Sequence, residues 1–475
     1  MIDQDGAANA GVVTQTGQIT GSPVTNEAFL QQIGERNTAE IMQRFSTGAR
    51  RGSNDVDVRQ DGDGNTTEIT QAMTSSATVS QSGDDNRATV DQSGDANHAT
   101  VGQTGTGNEA DVLQVGDRTT AAVTQDGTTN SATVELGEFY LTSASDTDAV
   151  VEQSGTDNEA EIANDGINVD GTIRQTGERN DAEISSGYSD ADQDITGTIT
   201  QVGDDNYGYV VQDGSDIDGT LTQTGDGNDG DIGQEGTGLA ATVTQTGDDN
   251  DADVDQEGSD LTASVTQDGT GNDADVEQDE ATDSRATIQQ RGDGNEFEIE
   301  QEGNGNGATL ATTGGDDNVA SIEQVSTETG RGNDARVEFW GSDNDVSVEQ
   351  VGGDGNFVYF NLRGTGPNTG TSSRPDQAGN VDGNTVGIVQ DGDANAVSGS
   401  IQGDDNMVTV TQTGSMNAAG AGFNGAGVDI SGSFNLVDVM QDGTGNSAQV
   451  LVGSDGNAAT VMQSGMSNTA TVTQN

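Results

Sequence analysis

The stretch Gln81-Ser82-Gly83-Asp84-Asp85-Asn86-Arg87-Ala88-Thr89-Val90-Asp91 is followed at once by Gln92-Ser93-Gly94-Asp95-Ala96-Asn97-His98-Ala99-Thr100-Val101-Gly102. A third unit opens at Gln103-x-Gly105-x-x-Asn108-x-Ala110-x-Val112, so the unit is 11 residues long. Self-similarity at a fixed short period marks a repeat architecture, in which one unit cannot close a core and must stack on its neighbours. Within a unit Asn86, Ala88, Val90, Gln92 and Gly94 are spaced by two, and Arg87, Thr89, Asp91 and Ser93 fill the alternate places. A β-strand puts the first set on one face and the second on the other. The Gly-x-x segment between Gln and Asn carries Gly, Asp and Asn, the residues that tolerate turn dihedrals.

Further along the chain glutamines recur at 201, 212, 223, 234, 245, 256, 267 and 278, but the asparagine slot alternates. Asn206, Asn228, Asn250 and Asn272 interleave with Ile217, Leu239 and Leu261. The period is therefore read as 22 residues, made of two unlike arms. The expected fold is all-β: a β-solenoid of stacked two-stranded rungs with amyloid-like cross-β geometry. The chain is read as one repeat domain over 1–475, with about 21 rungs at most by this period. Loop insertions are expected near 16–31, 44–53, 135–150, 185–198, 361–389 and 420–435, where the pattern breaks. Pro23, Pro367 and Pro375 fall inside those breaks, as they should, since proline cannot donate to a strand ladder.

Composition agrees with a thin core. Hydrophobic residues make up 29% and aromatics 3%, against 70 glycines, too few large apolar groups for about three conventional domains. Inward amides would be costly if unpaired, but identical amides in successive rungs can hydrogen-bond along the stack. The expected ladder residues are Gln81, Asn86, Gln92, Asn97, Gln103, Asn108, Gln201, Asn206, Gln223, Asn228, Gln245, Asn250, Gln267, Asn272, Gln463 and Asn468.

Net charge is −67, from 82 acidic residues against 15 basic ones, all arginine. Nucleic acid and anionic membranes are not expected partners, because both are held by clustered basic residues. No membrane insertion is expected either, since no apolar stretch reaches spanning length. The start, Met1-Ile2-Asp3-Gln4-Asp5, has no basic segment or apolar run of a secretory leader; a leader is expected to be missing from this sequence. With no cysteine, disulfide and thiolate chemistry are excluded.

Candidate chemical sites are few. His98 is the only histidine and takes an outward slot, leaving little for a triad or a zinc site. Asp61-Gly62-Asp63-Gly64-Asn65 resembles the opening of a calcium loop but coincides with the repeat's own turn. No catalytic, cofactor or metal residue is assigned; divalent cations are expected only as a diffuse, non-specific cloud. Aromatics gather at Phe339, Trp340, Phe357, Tyr359 and Phe360. Of these Phe339 and Phe360 are expected inward, packing near the 361–389 insertion, and the rest outward. An ice-binding face would need regular threonine pairs, and here threonine is mixed with Asp and Glu at equivalent slots.

The motif Q-x-G-x-x-N-x-A-x-x-x-Q, seen at Gln32 to Gln43, Gln81 to Gln92, Gln245 to Gln256, Gln267 to Gln278 and Gln463 to Gln474, resembles the curlin repeat of curli fibres. That resemblance implies a non-enzymatic fibre subunit secreted to the surface of a Gram-negative bacterium. It also implies a nucleator and a secretion machinery as partners, and roles in adhesion and biofilm matrix. The family's serine six residues before the glutamine is here often an aliphatic residue, as at Ile195, Ile217, Leu239 and Leu261. The first and last units, Gln4-x-Gly6-x-x-Asn9 and Ala470 to Asn475, read as open arms without caps, so end-to-end joining of copies is expected. The alternative reading is a monomeric acidic solenoid that holds cations at the cell surface.

Overall fold

The computed structural model describes residues 1–16, 25–44, 53–137, 145–186, 193–326, 332–351, 353, 355–362, 381–419 and 427–475. These form thirty-nine strands and no helix. They fall into two compact units, Met1–Thr237 and Gly238–Asn475, each of which is a parallel β-solenoid.

In the first unit, strands alternate between two stacks, and each pairs in parallel with the strand two places further along the chain, except around the long strand Tyr207–Thr224, which serves both stacks and pairs with its immediate neighbours Gln193–Val202 and Asp229–Thr237. One stack runs through Ser76–Asp84, His98–Thr106, Thr120–Thr128 and Asp148–Thr156, in register throughout. The facing stack runs through Arg87–Ser93, Glu109–Gln114, Ser131–Leu136 and Glu159–Asn164. The alternation of the sequence becomes the alternation of burial. In Arg87–Ser93 the residues Ala88, Val90 and Gln92 are buried while Arg87 and Asp91 are exposed. Ala and Val fit because the inward side chains of the two stacks meet across a narrow gap, and larger residues would force the stacks apart.

The second unit repeats this plan. Asp251–Ser259, Asp273–Thr282, Glu296–Asn304, Val319–Val325 and Asp345–Val351 form one stack. Thr262–Asp268, Arg285–Arg291, Gly307–Thr312, Asp334–Phe339 and Phe357–Leu362 form the other.

Two sequence readings need correction. Several expected insertions extend too far, because strands occupy their margins. Thr25–Ile33 covers the end of 16–31, Ser131–Leu136 and Asp148–Thr156 enter 135–150 from both sides, and Gln193–Val202 covers the end of 185–198. Likewise Phe357–Leu362 and Thr385–Asp391 flank 361–389, and Val428–Ser431 lies inside 420–435. Inward residues such as Leu30, Ile195, Val386 and Ile430 are buried there, so the strand period persists into the margins of the expected insertions. The remainder of the six expected insertions, with all three prolines, falls mainly outside the described residues.

The second correction concerns the two unlike arms. Aliphatic residues at the asparagine slot occupy only part of one stack, as at Val169, Ile195 and Ile217. Asn97 stands in that stack before them, and in the second unit Asn306 and Asn333 occupy the equivalent slot, both buried. The alternation is a local change of lining.

Candidate functional site

The repeated feature with chemical content is the contact between successive rungs, and it is built from four slots. At the glutamine slot, Gln81 Nε2 donates to Gln103 Oε1 at 2.9 Å and Gln103 Nε2 to Gln125 Oε1 at 2.9 Å. Gln103 Nε2 also donates to the carbonyl of Arg87 in the facing strand and to that of Asn108 just after its own turn. Gln92 donates to Gln114, Gln201 to Gln223 and Gln245 to Gln267, at 2.8, 2.9 and 3.0 Å. Gln463 accepts from Gln441 at 2.8 Å. All are buried in a low-dielectric strip where a paired amide stabilises and an unpaired one costs.

At the asparagine slot the side-chain oxygen accepts from the next rung twice. Asn108 sends both its backbone N–H and its Nδ2 to Asn86 Oδ1, each at 3.1 Å. Asn228 does the same to Asn206, Asn272 to Asn250 and Asn468 to Asn446. Asn97 lies in no asparagine pair upward: its Oδ1 accepts from the N–H and Oγ1 of Thr119, and its Nδ2 is buried without a partner.

Ladder residues change in runs. In the first unit the glutamine slot of one stack passes from Gln114 to Leu136, Asn164 and Ser186 before returning at Gln212. In the second unit one stack reads Thr312, Phe339, Leu362, Ile401, Ile430 and Val452 in successive rungs. Phe339 and Phe360 are fully buried, Phe339 lying 5.3 Å from the Phe297 ring across the core. Trp340 is 40% exposed, and Phe357 and Tyr359 are half-buried. The aromatic cluster is thus in part a place where a polar seam gives way to an apolar one.

The third slot is the glycine after each glutamine. Gly83, Gly105 and Gly127 have φ of 110°, 112° and 139°. A Cβ placed on Gly105 would lie 1.9 Å from the Gly127 carbonyl oxygen, and one on Gly127 would lie 1.9 Å from that of Gly155. The glycines form a spine where turns of neighbouring rungs touch backbone to backbone. The sequence suggests a turn residue here, and only the stacking reveals the close approach.

The fourth slot is the turn aspartate. Asp63 Oδ1 accepts from the Glu35 N–H at 2.7 Å, and Asp84 Oδ1 accepts from the Asp63 N–H at 2.9 Å. The calcium-like run Asp61–Asn65 thus spends its central carboxylate on a neighbouring turn. Among the described residues no group of three or more His, Asp and Glu side chains has a metal-holding arrangement. His98 is exposed, its Nδ1 2.7 Å from Ser76 Oγ.

The outward faces carry the charge. In the first unit arginines bridge rungs: Arg174 reaches Glu152 at 2.8 Å and Arg179 reaches Asp205 at 2.6 Å. Such exposed pairs contribute little singly, because solvent screens them and two long side chains must be held in one geometry. In the second unit one outward face stacks carboxylate on carboxylate in successive rungs. Asp253, Asp275 and Glu298 lie in one row, and Asp255, Glu277, Glu300, Glu323 and Glu349 in the next. At the ~4.8 Å rung spacing each like-charge contact costs ~0.9 kcal/mol in a water-like dielectric.

Partial burial, with Asp253, Glu298, Glu277 and Asp273 around it, pushes the Asp275 carboxyl up to about 6. Burial and neighbouring carboxylates also raise Glu277 and Glu300. The folded state therefore holds these protons more tightly than the unfolded chain. Stability rises as pH falls through about 6 toward the ordinary value of 3.8 and is lost again as pH climbs. The melting temperature is expected to be higher at pH 5 than at pH 7.5, and Asp275→Asn to raise it at pH 7.5 while flattening the dependence. A melting temperature indifferent to pH over this window would show that the rows are fully screened.

The curlin associated repeat family matches the chain at residues 74–105, 105–135, 193–225, 214–247, 225–258, 247–279, 258–292, 382–414 and 432–475. Together these segments cover just over half of the sequence. No curated protein matches it.

Proposed function

The chain belongs to the curlin associated repeat family, and from that premise we propose that it is a structural subunit of extracellular curli-like amyloid fibres. Its partner is then another copy of itself, added rung on rung, and its role is adhesion and cohesion of a biofilm matrix at a Gram-negative cell surface. A curli-type nucleator and secretion machinery complete the partner set. No cofactor enters this role, and it is a mechanical role with no catalytic step.

One observation carries the reading: each rung presents its neighbour with nearly the same parallel surface. Gln81, Gln103 and Gln125 hydrogen-bond in sequence, and the strands that bear them pair residue for residue. The contact that joins rungs inside one chain would therefore serve between chains. Such in-register stacking with amide ladders is also the geometry of cross-β fibres.

The carboxylate rows set the conditions for growth. They oppose stacking and lateral approach at low salt, since the screening length is about 30 Å at 0.01 M and about 3 Å at 1 M. Growth should be faster at high salt, below pH 6 or with divalent cations, which gather diffusely on the acidic rows. Purified protein incubated across a salt and pH series is expected to give unbranched fibres that bind thioflavin T. Their diffraction should show a meridional reflection at about 4.7–4.8 Å. Soluble particles in every condition would instead favour a monomeric, cation-holding surface solenoid, the reading that the Asp255 to Glu349 row supports.

A further inference from the structure

The acidic face of the second unit does not stay acidic. The same stack continues from Asp345–Val351 through Thr385–Asp391 and Met407–Ser415 to Leu436–Thr444 and Ala458–Met466, in register at each step. The outward residues of Asp251–Ser259 are Asp251, Asp253, Asp255, Glu257 and Ser259. Those of the last three strands include only two charged groups, Asp438 and Asp442. In their place stand Met407, Leu436, Met440, Met462 and Met466, between 46% and 78% exposed. Leu436 pairs with Met407, and Met440 with Met462, so these side chains are neighbours across rungs.

A second observation marks the same spot. Phe434, two residues before Leu436, occupies the turn position that Asp405 and Gly456 fill in the rungs on either side, and its φ is 59°. A bulky side chain in the left-handed region is disfavoured, and this ring is also 67% exposed. Neither the turn nor the core gains from it. Exposed apolar side chains on a chain of net charge −67, one of them in a strained turn, call for a covering surface.

We propose that this face, from Phe434 and Met407 to Met466, is a lateral docking surface for a second copy of this chain, which meets it with the same patch. The charge pattern selects that occupant. Two copies repel through any pair of acidic faces, whereas here methionine and leucine meet methionine and leucine. A two-fold axis lying in the plane of the patch and perpendicular to the stacking direction also carries each copy's acidic rungs away from the other's, and an isologous contact of this kind closes on itself. Methionine suits it, being flexible enough to fill an irregular contact.

Size decides what the contact can do. Three strands ~4.8 Å apart, each nine residues long at ~3.3 Å per residue, span about 400 Å². That is about half the ~800 Å² per partner of a stable complex. One patch gives a weak pair in dilute solution, and arrays of patches along neighbouring fibres give bundles by avidity. The inference is separate from rung-on-rung growth, which uses strand edges and not this face.

Because the chain has no cysteine, single cysteines report the contact directly. Met440→Cys in the full chain, oxidised with copper phenanthroline, is expected to give roughly tenfold more covalent dimer than Asp253→Cys on the acidic part of the same face. Met462→Cys should repeat the result, so poor folding of one variant does not decide the matter. In fibre preparations, Met440→Glu with Met462→Glu should leave single fibres intact and abolish bundling. Equal cross-linking at Asp253 and Met440, or bundles that survive the double glutamate variant, would overturn the proposal. Absence of fibres in the unaltered protein would count against the fibre reading alone, since the cross-linking comparison is made on soluble protein.

Discussion

Replacing Gly127 with alanine is expected to cost ~3 kcal/mol or more and to open the rungs around it, although the substitution adds one methyl group at a turn. Two effects act together. The φ of 139° at Gly127 is one that residues with a Cβ rarely adopt, and strain of that kind costs ~1–3 kcal/mol. The added Cβ would also sit 1.9 Å from the Gly155 carbonyl oxygen and 2.8 Å from its carbon. Both are backbone atoms held in register by the pairing of Thr120–Thr128 with Asp148–Thr156. Neither can yield without breaking ladder hydrogen bonds, and the same contact recurs one rung earlier between Gly105 and Gly127.

Gly102 supplies the internal control. It lies within the strand His98–Thr106, outside the left-handed region, and a Cβ there meets nothing within 4 Å. Gly102→Ala should be neutral or stabilise by ~0.4–1 kcal/mol, by restricting the unfolded chain. Thermal melting with amide hydrogen exchange over residues 98–160 measures both. A Gly127→Ala protein within ~0.5 kcal/mol of the parent, the range of ordinary surface changes, would mean that the spine is looser than the rung spacing implies.

The period-two alternation of Ala88, Val90 and Gln92 was enough to place the strands and their inward face, because burial imposes that spacing on any half-buried strand. What could not be read was which residues stand above one another. The separation between laddered glutamines is 22 residues at Gln103 and Gln125, 21 at Gln60 and Gln81, 28 at Gln125 and Gln153, and 40 at Gln350 and Gln390. The spacing along the chain is not constant, so rows across rungs emerge only when the register is known. The carboxylate row from Asp255 to Glu349, the glycine spine, the turn aspartates and the methionine patch all belong to that hidden dimension. The run from Phe339 to Val452 was hidden for a related reason. A lone phenylalanine at a glutamine position looks like a lapse in the motif until Leu362, Ile401 and Ile430 are found stacked on it.

That run leads to the other large effect, at Gln103. Gln103→Leu is nearly the same in volume and more apolar, yet it is expected to destabilise by ~2–4 kcal/mol. The side chain is 1% exposed and accepts from Gln81 while donating to Gln125, Arg87 and Asn108. Gln81 Nε2 keeps the carbonyls of Thr66 and Asn86 as acceptors, but Gln125 Oε1 loses its donor from the rung below. An orphaned buried acceptor costs ~1–3 kcal/mol, and each lost hydrogen bond adds ~0.5–1.5 kcal/mol. The reverse change, Leu362→Gln, should also destabilise, since it sets an amide between Phe339 and Ile401. The chain already shows such a junction: Gln474 follows Val452 in its stack, and its Oε1 is buried without a partner. Replacing Gln81, Gln103 and Gln125 together should cost clearly less than three times the single change, because interior amides are then removed with their partners and mismatches remain only at the two ends of the run. Urea midpoints for the single and triple variants test this coupling. Strict additivity would mean that each amide is stabilised by its own turn and that the ladder along the stack contributes nothing.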